Sequence, residues 1–305
     1  MAIPDFQSFL LPVLRIVEKN GQIEVSKVFQ PLALEFSLTP EDLAEKLNSG
    51  TQTRYQNRVY WAVVHLRKAG LIESPQRGLL KITSRGRSLL ATNGEARITL
   101  RTLDQYPEYV EFRSSSATSG STNSKTADAA EDIVTPQELL ERSFAQINET
   151  LAQELLDLLL NRPPSFFEQV VVDLLVAMGY GGAAEDASSV VGSSGDGGID
   201  GIIKQDRLGL DNIYVQAKRW GREHKVGRPE VQGFAGSLLQ HHAKKGVFLT
   251  TAGITNEAKN YVASIEPKIV LIDGKELTKL MIQFNVGVSA SQTLVLKKID
   301  TDYFE

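Results

Sequence analysis

Three side chains in the second half of the chain have the types and spacing for chemistry on a phosphodiester. They are Asp200, Gln216 and Lys218, within GDGGIDGIIKQDRLGLDNIYVQAKRW from Gly195 to Trp220. A glycine-rich turn leads into Asp200 and a short apolar run, Gly201 to Ile203. A polar loop follows, and a second run, Ile213 to Trp220, carries the amide and the lysine. This order reads as a β-hairpin. Side chains alternate between the two faces of a strand, so Gln216 and Lys218 share one face while Val215 and Ala217 take the other. Closure near Lys204 and Ile213 brings Asp200 back beside Ala217, within one side-chain length of the amide and the ammonium. A carboxylate and a carbonyl-type oxygen suit a hard divalent cation such as Mg2+ (or Mn2+). An ammonium two residues on can orient an attacking water or offset charge on the phosphorane. The plainer reading is a surface hairpin whose Asp200–Lys218 ion pair is solvated and worth little.

The neighbouring elements must hold these groups. Ahead of the hairpin, Pro163-Pro164-Ser165 opens a helix running to Met178 and ending at Gly179. Glu168 lies three residues after Ser165, the pattern of a capping box. A helical wheel instead places it beside Val171, Val172 and Leu175, where a carboxylate is partly desolvated and costly unless paired with metal or a basic group. Gln169 and Asp173 fall on a more polar flank. Asp196 is the alternative to Asp200 as a metal ligand, but Asp200 opens the strand and Asp196 reads as a turn residue. The glycines of Gly192 to Gly198 make a poor nucleotide-binding motif, because no GxxxxGK[ST] follows and they lead into a strand. After the hairpin, Gly227-Arg228-Pro229-Glu230 starts another helix. Glu230 could add a carboxylate to the site or simply favour the helix N-terminus. Arg219 and Arg228 could hold DNA phosphate. A strand at Gly246 to Thr251, a helix at Asn256 to Ser264, a strand at Ile269 to Ile272 and a helix at Lys275 to Phe284 complete a mixed sheet with helices on both faces.

The same segments carry a family resemblance. The hairpin resembles the catalytic hairpin of the PD-(D/E)xK nucleases, and in detail their Mrr branch, where glutamine replaces the acid of the last motif. The similarity runs through FFEQVVVDLLVAMGYGG (Phe166 to Gly182), GDGGIDG (Gly195 to Gly201), YVQAKRW (Tyr214 to Trp220), VGRPEVQGFAG (Val226 to Gly236) and the closing DTDYFE (Asp300 to Glu305). The resemblance implies endonucleolytic cleavage of double-stranded DNA, directed to methylated DNA in a modification-dependent (type IV) restriction system. It also implies a restriction-endonuclease-like fold and a glutamate at the Glu168 position within the active site. The catalytic set is then Glu168, Asp200, Gln216 and Lys218, with Asp200 and Gln216 on the metal. Glutamine in place of the acid weakens the charge on the metal site and leaves the number of metal ions open.

Composition narrows the classes. No cysteine is present, which excludes disulfides, thiolate catalysis and zinc sites built on Cys. The histidines, His65, His224, His241 and His242, are too scattered for a His-rich metal site. No apolar run approaches the roughly 20 residues of a membrane span. The first residues, with Pro4, Asp5 and Gln7, lack a basic n-region followed by an apolar h-region, so a cytoplasmic protein is expected. The net charge of −4 has the wrong sign for a DNA-binding protein until it is divided along the chain. Residues 1–103 carry 14 Lys+Arg against 9 Asp+Glu, residues 104–162 carry 4 against 11, and residues 163–305 carry 15 against 17. The basic N-terminal part can therefore neutralise phosphate, the term that dominates DNA affinity.

That part reads as a winged helix. Asp5 to Lys19 has apolar residues at helical spacing and ends at Asn20-Gly21. A second helix covers Val25 to Phe36, and Thr39-Pro40-Glu41-Asp42 opens a third. A long helix, Thr53 to Ala69, precedes two short strands around Pro75-Gln76-Arg77-Gly78. The long helix of such a fold enters the major groove and the wing touches the backbone. Gln52, Arg54, Asn57 and Arg58 are the candidate contacts, with Arg77 on the wing; Lys68, Arg85 and Arg87 read as solvated charges. From about Arg113 to Asp132 the composition turns to Ser, Thr, Ala, Gly and Asn, a flexible linker. Gln137 to Leu160 is a helix that packs on the catalytic domain or makes a dimer contact.

The expected fold class is thus α/β, in three parts. A winged-helix DNA-recognition domain (1–103) and a linker (104–135) precede a restriction-endonuclease-like domain (136–305) with a mixed central β-sheet flanked by helices. A homo-oligomer, dimer or tetramer, suits an enzyme that breaks both strands. Two rivals stand beside this reading: a non-catalytic winged-helix regulator, and a structure-specific (junction) nuclease.

Overall fold

The computed structural model describes residues 3–48, 50, 52–94, 96–117, 133–181, 198–205, 211–297, 299 and 303. The chain divides into two units, Met1–Phe144 and Ala145–Glu305.

In the first unit the apolar stripe near the N-terminus is buried as its spacing requires. Asp5 accepts from the Ser8 amide (3.1 Å) and caps a 3-10 turn, Phe6–Phe9, that continues into α1 (Leu10–Asn20). Gly21, at φ 68°, ends α1 with a conformation that costs other residues more. Strand β1 (Gln22–Glu24), α2 (Phe29–Glu35) and α3 (Pro40–Ala44) lead to α4 (Arg54–Lys68). Reciprocal capping boxes start the last two, Thr39 with Asp42 and Thr53 with Gln56. Tyr55, Val59, Ala62 and Leu66 of α4 and Phe9, Leu10, Val13 and Leu14 lie in one core. Phe9 meets Tyr55 edge-on at 5.7 Å.

Strands β2 (Ile72–Glu73) and β3 (Leu79–Ile82) flank the Arg77 turn, and β1 joins them in an antiparallel sheet of order β1-β3-β2. Helices α5 (Ser84–Asn93), α6 (Leu100–Leu103) and α7 (Pro107–Ala117) follow. Helix α7 departs from the sequence expectation, which placed it in the linker. Its Tyr109 is wholly buried, and the Tyr109 hydroxyl lies 2.7 Å from His65 Nδ1 in the same core. The folded N-terminal part therefore extends past residue 103. Only the later part of the expected linker, 118–132, lies outside the described residues.

The long helix α8 (Pro136–Leu160) is followed by α9 (Pro164–Ala177). The second unit is built on the sheet β4-β5-β7-β9: β4 (Gly201–Lys204), β5 (Asn212–Lys218), β7 (Lys245–Thr250) and β9 (Lys268–Ile272). The β4–β5 pair is antiparallel, and the β5–β7 and β7–β9 pairs are parallel, so the sheet is mixed. A two-stranded parallel pair, β6 (Lys225–Val226) with β8 (Gly253–Ile254), lies apart from it. Strand alternation divides the apolar residues between two layers. Ile213, Val215 and Ala217 of β5 and Val247 and Leu249 of β7 join a core with Leu155 and Leu159 of α8, Phe167 and Val171 of α9, and Leu277 and Met281 of α12 (Gly274–Gln283). Tyr214 and Phe248 face the other layer, against Val231, Phe234 and Leu238 of α10 (Arg228–Gln240) and Ala258 of α11 (Asn256–Ala263). No helix among the described residues is long and apolar enough to cross a membrane.

Candidate active site

The hairpin expected from the sequence forms, one residue out of the expected register. Lys204 pairs with Asn212, not Ile213, and Gly201 pairs with Val215. The physical reason lies at the loop. The Gln205 amide donates to the Asp211 carbonyl (2.8 Å), and Lys245, from β7, clamps both side chains at 2.6 and 2.8 Å. Asp200 sits just before β4. Its amide donates to the Val215 carbonyl (2.8 Å), and its Oδ2 accepts from the Ala217 amide (2.8 Å). The acid thus reaches Ala217 through its side chain, and the same Oδ2 lies 3.8 Å from Lys218 Nζ. Both side chains are partly exposed, as reacting groups must be.

Two threonines hold the end of β5. Thr250 Oγ1 donates to the Lys218 carbonyl (2.7 Å); Thr251 Oγ1 donates to the Trp220 carbonyl (2.7 Å) and accepts from the Trp220 amide (2.9 Å). Gln216, one position before Ala217, is 6% exposed. Its amide packs against Gly198, which sits at φ +97°. A β-carbon at Gly198 would lie 2.5 Å from Gln216 Nε2. Sequence reasoning did not pick out Gly198, Thr250 or Thr251. The glycine run was the available signal for the first.

Glu168 is not part of a capping box. Pro164 occupies the first turn of α9 and Pro163 is its N-cap, so the helix begins too early for Ser165 to cap it. The Glu168 carboxylate accepts no hydrogen bond among the described residues, and it lines a cavity of about 70 Å³ with Ser165, Val172, Asp200 and Ala217. Burial raises its pKa above the ordinary carboxylate value, and the Asp200 charge raises it further against the opposing pull of Lys218. Gln169 and Asp173 bond each other on the exposed flank (2.8 Å). The two acids repel each other, and a hard divalent cation would relieve that repulsion; Gln216, on the strand face opposite Val215 and Ala217, does not line this cavity. Among the described residues no three His, Cys, Asp or Glu side chains cluster as ligands.

Family profiles match both parts of the chain: one described as a restriction endonuclease over residues 159–281, and one described as the Mrr N-terminal domain over residues 6–92. Over its whole length, and the whole length of the relative, the chain is 37% identical to the "Type IV methyl-directed restriction enzyme EcoKMrr" of Escherichia coli (strain K12). The chain belongs to the Mrr family of restriction endonucleases. It is a DNA endonuclease. A shorter similarity, 30% identity over 99 residues, covers 32% of the chain and 24% of the "Uncharacterized protein y4cE" of Sinorhizobium fredii (strain NBRC 101917 / NGR234). Among solved structures, the DNA modification-dependent restriction endonuclease AspBHI aligns at 17% identity and a TM-score of 0.37, over 72% of this chain and 56% of that one. MspJI, in complex with a 27-mer oligonucleotide, aligns at 17% identity and 0.34, over 68% and 49%.

Other residues of this Mrr-family chain considered for the site lie elsewhere. Glu230 Oε2 accepts from the Gly227 amide (3.0 Å), so the carboxylate caps α10. Arg228 stacks over Tyr261 at 5.2 Å. Arg219 Nη1 donates to the Leu160 carbonyl (2.7 Å), while its Nε is buried without a partner among the described residues. Asp196 lies outside the described residues.

Of the candidate DNA contacts of the first unit, Gln52, Arg54, Asn57 and Arg58 are engaged internally. Asn57 is 1% exposed; its Nδ2 donates to Gln52 Oε1 (3.2 Å) and its Oδ1 accepts from Thr135 Oγ1 (2.6 Å). Arg54 and Arg58 both pair with Glu138, at 2.6 and 2.9 Å. In this arrangement they are not the open contacts expected. A helical wheel could not show this, because the partners are distant in sequence. Arg77 is exposed on its turn as expected. Of the charges read as solvated, Lys68 lies over the Phe112 ring (5.2 Å), and Arg85 pairs with Glu108 (3.2 Å).

Proposed function

We propose that this endonuclease is modification-dependent, hydrolysing phosphodiester bonds of methylated double-stranded DNA by metal-assisted attack of water. One observation carries the mechanism. Glu168, Asp200 and Lys218, from three elements, act on one another's charge at one end of β5, and Glu168 is left uncapped. Asp200 and the Gln216 oxygen would hold Mg2+ (or Mn2+), with Glu168 completing the donor set. Bound there, the cation supplies Lewis-acid stabilisation of charge on the phosphoryl oxygens. Lys218 orients the water and offsets charge developing on the phosphorus centre. The Ala217 amide fixes the Asp200 carboxylate, so its lone pairs face the cavity without a search at the moment of reaction.

The first unit reads the DNA. Its basic balance, the capped α4 and the β2–β3 hairpin bearing Arg77 support a winged helix presenting α4 to the duplex. Arg219 and Arg228 serve as secondary phosphate contacts of the catalytic unit. Methylation dependence is supported by the full-length relative, described as methyl-directed. A second copy, in a dimer or tetramer, supplies the second cut of a double-strand break.

The test is cleavage of methylated and unmethylated plasmid, with Mg2+ or with EDTA, by wild type and Asp200→Ala. Cutting should require methylation, the cation and Asp200 together, the variant losing about 10²-fold or more. Equal cutting of unmethylated plasmid would overturn the specificity, and wild-type cutting by the variant would overturn the site.

A further inference from the structure

One short segment at the start of α8 engages a whole stripe of α4. Arg54, Asn57, Arg58 and Trp61 lie along one side of that helix, and all are held by residues between Thr135 and Glu138. Glu138 Oε1 takes Arg54 Nη1 at 2.6 Å and Arg58 Nη2 at 2.9 Å, while its Oε2 accepts from the Thr135 amide at 3.1 Å. Thr135 Oγ1 bonds Asn57, and Gln137 Oε1 accepts from Trp61 Nε1. Glu138 is 2% exposed and Thr135 is wholly buried. Burial opposes ionisation of Glu138, but the Thr135 amide and the two arginines outweigh it and hold its pKa below the ordinary value. An ionised oxygen seated between two guanidinia is the arrangement that a DNA phosphate makes with arginines.

Both arginines are aimed at that position by other contacts as well. Arg54 Nε keeps Glu45 Oε1 at 2.6 Å, and Arg58 Nη1 keeps the carbonyls of Ile3 and Pro4. The pocket for the anion therefore does not depend on Glu138 for its shape. Replacing Glu138 by a phosphate exchanges anion for anion, so neither guanidinium is left buried and unpaired, the outcome that makes breaking such pairs costly.

We propose that Glu138 is an internal stand-in for a DNA phosphate, closing the reading stripe of α4 until duplex DNA displaces it. The proposal rests on the reading of the first unit as the DNA-recognition module. It makes the acidic segment a competitor of the substrate and sets a threshold on binding. The apparent affinity of the whole chain is then the intrinsic affinity reduced by the fraction of molecules with the stripe open.

The test is fluorescence anisotropy of a labelled methylated duplex in EDTA, with the full chain, over a range of salt. The variants are Glu138→Gln, Thr135→Ala with Gln137→Ala, Arg54→Ala with Arg58→Ala, and the two arginine changes combined with Glu138→Gln. Glu138→Gln should bind about tenfold tighter, the factor for an open state populated at about one part in ten. Its log–log salt slope should stay close to that of the wild type, because the same two arginines meet phosphate once DNA has displaced Glu138, whereas loss of both arginines should flatten the slope by about 2. The Thr135/Gln137 pair weakens the clasp without removing a charge, and should tighten binding by a smaller factor. It decides the question if thermal melting shows Glu138→Gln unfolded. The arginine variants should bind weakly and abolish the gain. Wild-type affinity in both clasp variants, with weak binding by Arg54→Ala/Arg58→Ala, would overturn the stand-in and leave DNA reading by α4 intact. Undiminished binding after loss of both arginines, with or without Glu138→Gln, would overturn that reading of α4 and the stand-in with it.

Discussion

Gly198→Ala separates the stability of the catalytic unit from its chemistry. At φ +97° a side chain is strained, and the new β-carbon would lie 2.5 Å from Gln216 Nε2. The backbone conformation costs about 1–3 kcal/mol. Against the roughly 5–15 kcal/mol that holds a folded protein together, this leaves the chain folded, with melting lowered by roughly 2–10 °C. The contact acts differently. Gln216 must withdraw by about 1 Å to regain ordinary van der Waals separation. It is the amide proposed to share the cation with Asp200, and a displacement of about 1 Å in such a group costs on the order of 10²-fold in rate. Single-turnover cleavage of methylated duplex should therefore fall by about two orders of magnitude while the protein still melts cooperatively. Because Gly198 acts through Gln216, the double variant with Gln216→Ala should cut no more slowly than Gln216→Ala alone. Cleavage by Gly198→Ala within about twofold of wild type, in a protein whose melting falls by roughly 2–10 °C, would refute the idea that Gly198 positions the amide.

Glu168→Gln should melt, in EDTA, no lower than wild type and higher at pH 8, while cleavage falls by about 10²-fold or more. Burial and then Asp200 raise the Glu168 pKa, so the fold favours the protonated acid, and stability is lost as pH rises from the ordinary value through the raised one; a lower melting point at pH 8 would contradict this. Lys218→Met should cut about 10²-fold more slowly at unchanged DNA affinity, and equal losses in both would make the lysine a phosphate anchor instead. His65 runs the other way: burial, with a smaller push from Arg113, lowers its pKa to about 4, so the folded imidazole stays neutral while the unfolded one gains a proton. Roughly 3 kcal/mol of first-unit stability should therefore be lost as pH falls from 6.5 to 4. Urea unfolding followed by Trp61 fluorescence in a Trp220→Phe background should show it, and His65→Phe should not.

The fold was legible where local signals sufficed. Helices α1 and α4 are written in apolar residues at spacings of three and four, with Asn20-Gly21 closing one and Thr53 opening the other, and both formed close to the expected bounds. The alternation along β5 sorted Val215 and Ala217 from Tyr214 into different cores, as period two demands. What escaped was short or depended on distant partners. Strand β1 is three residues long and exists because β3 pairs with it. Helix α7 mixes Tyr109, Val110 and Phe112 with serines, and only the burial of Tyr109 against His65 shows that it belongs to the first unit's core.

The site divides along the same line. Asp200 and Lys218 could be brought together on paper because a hairpin is a local object, and the register differs by one residue where Lys245, on another strand, clamps the loop. Glu168 needed the exact start of α9: a helix begun at Ser165 would have made it a cap, and one begun at Pro164 leaves it in the cavity. Arg54 and Arg58 stand at the far end of this scale. Their spacing on a capped helix is that of a DNA-reading face, and nothing within a helical turn contradicts it. Their partner lies 84 and 80 residues away. A charge looks free in a sequence until its counter-charge is found, and for a phosphate-binding arginine the counter-charge is missing from the chain by definition. An internal carboxylate on such a pair thus leaves two options: the pair is structural and the spacing is coincidence, or the chain has supplied its own substitute for the substrate. The salt slope of DNA binding with and without the two arginines separates them, because only an arginine that meets phosphate adds to it.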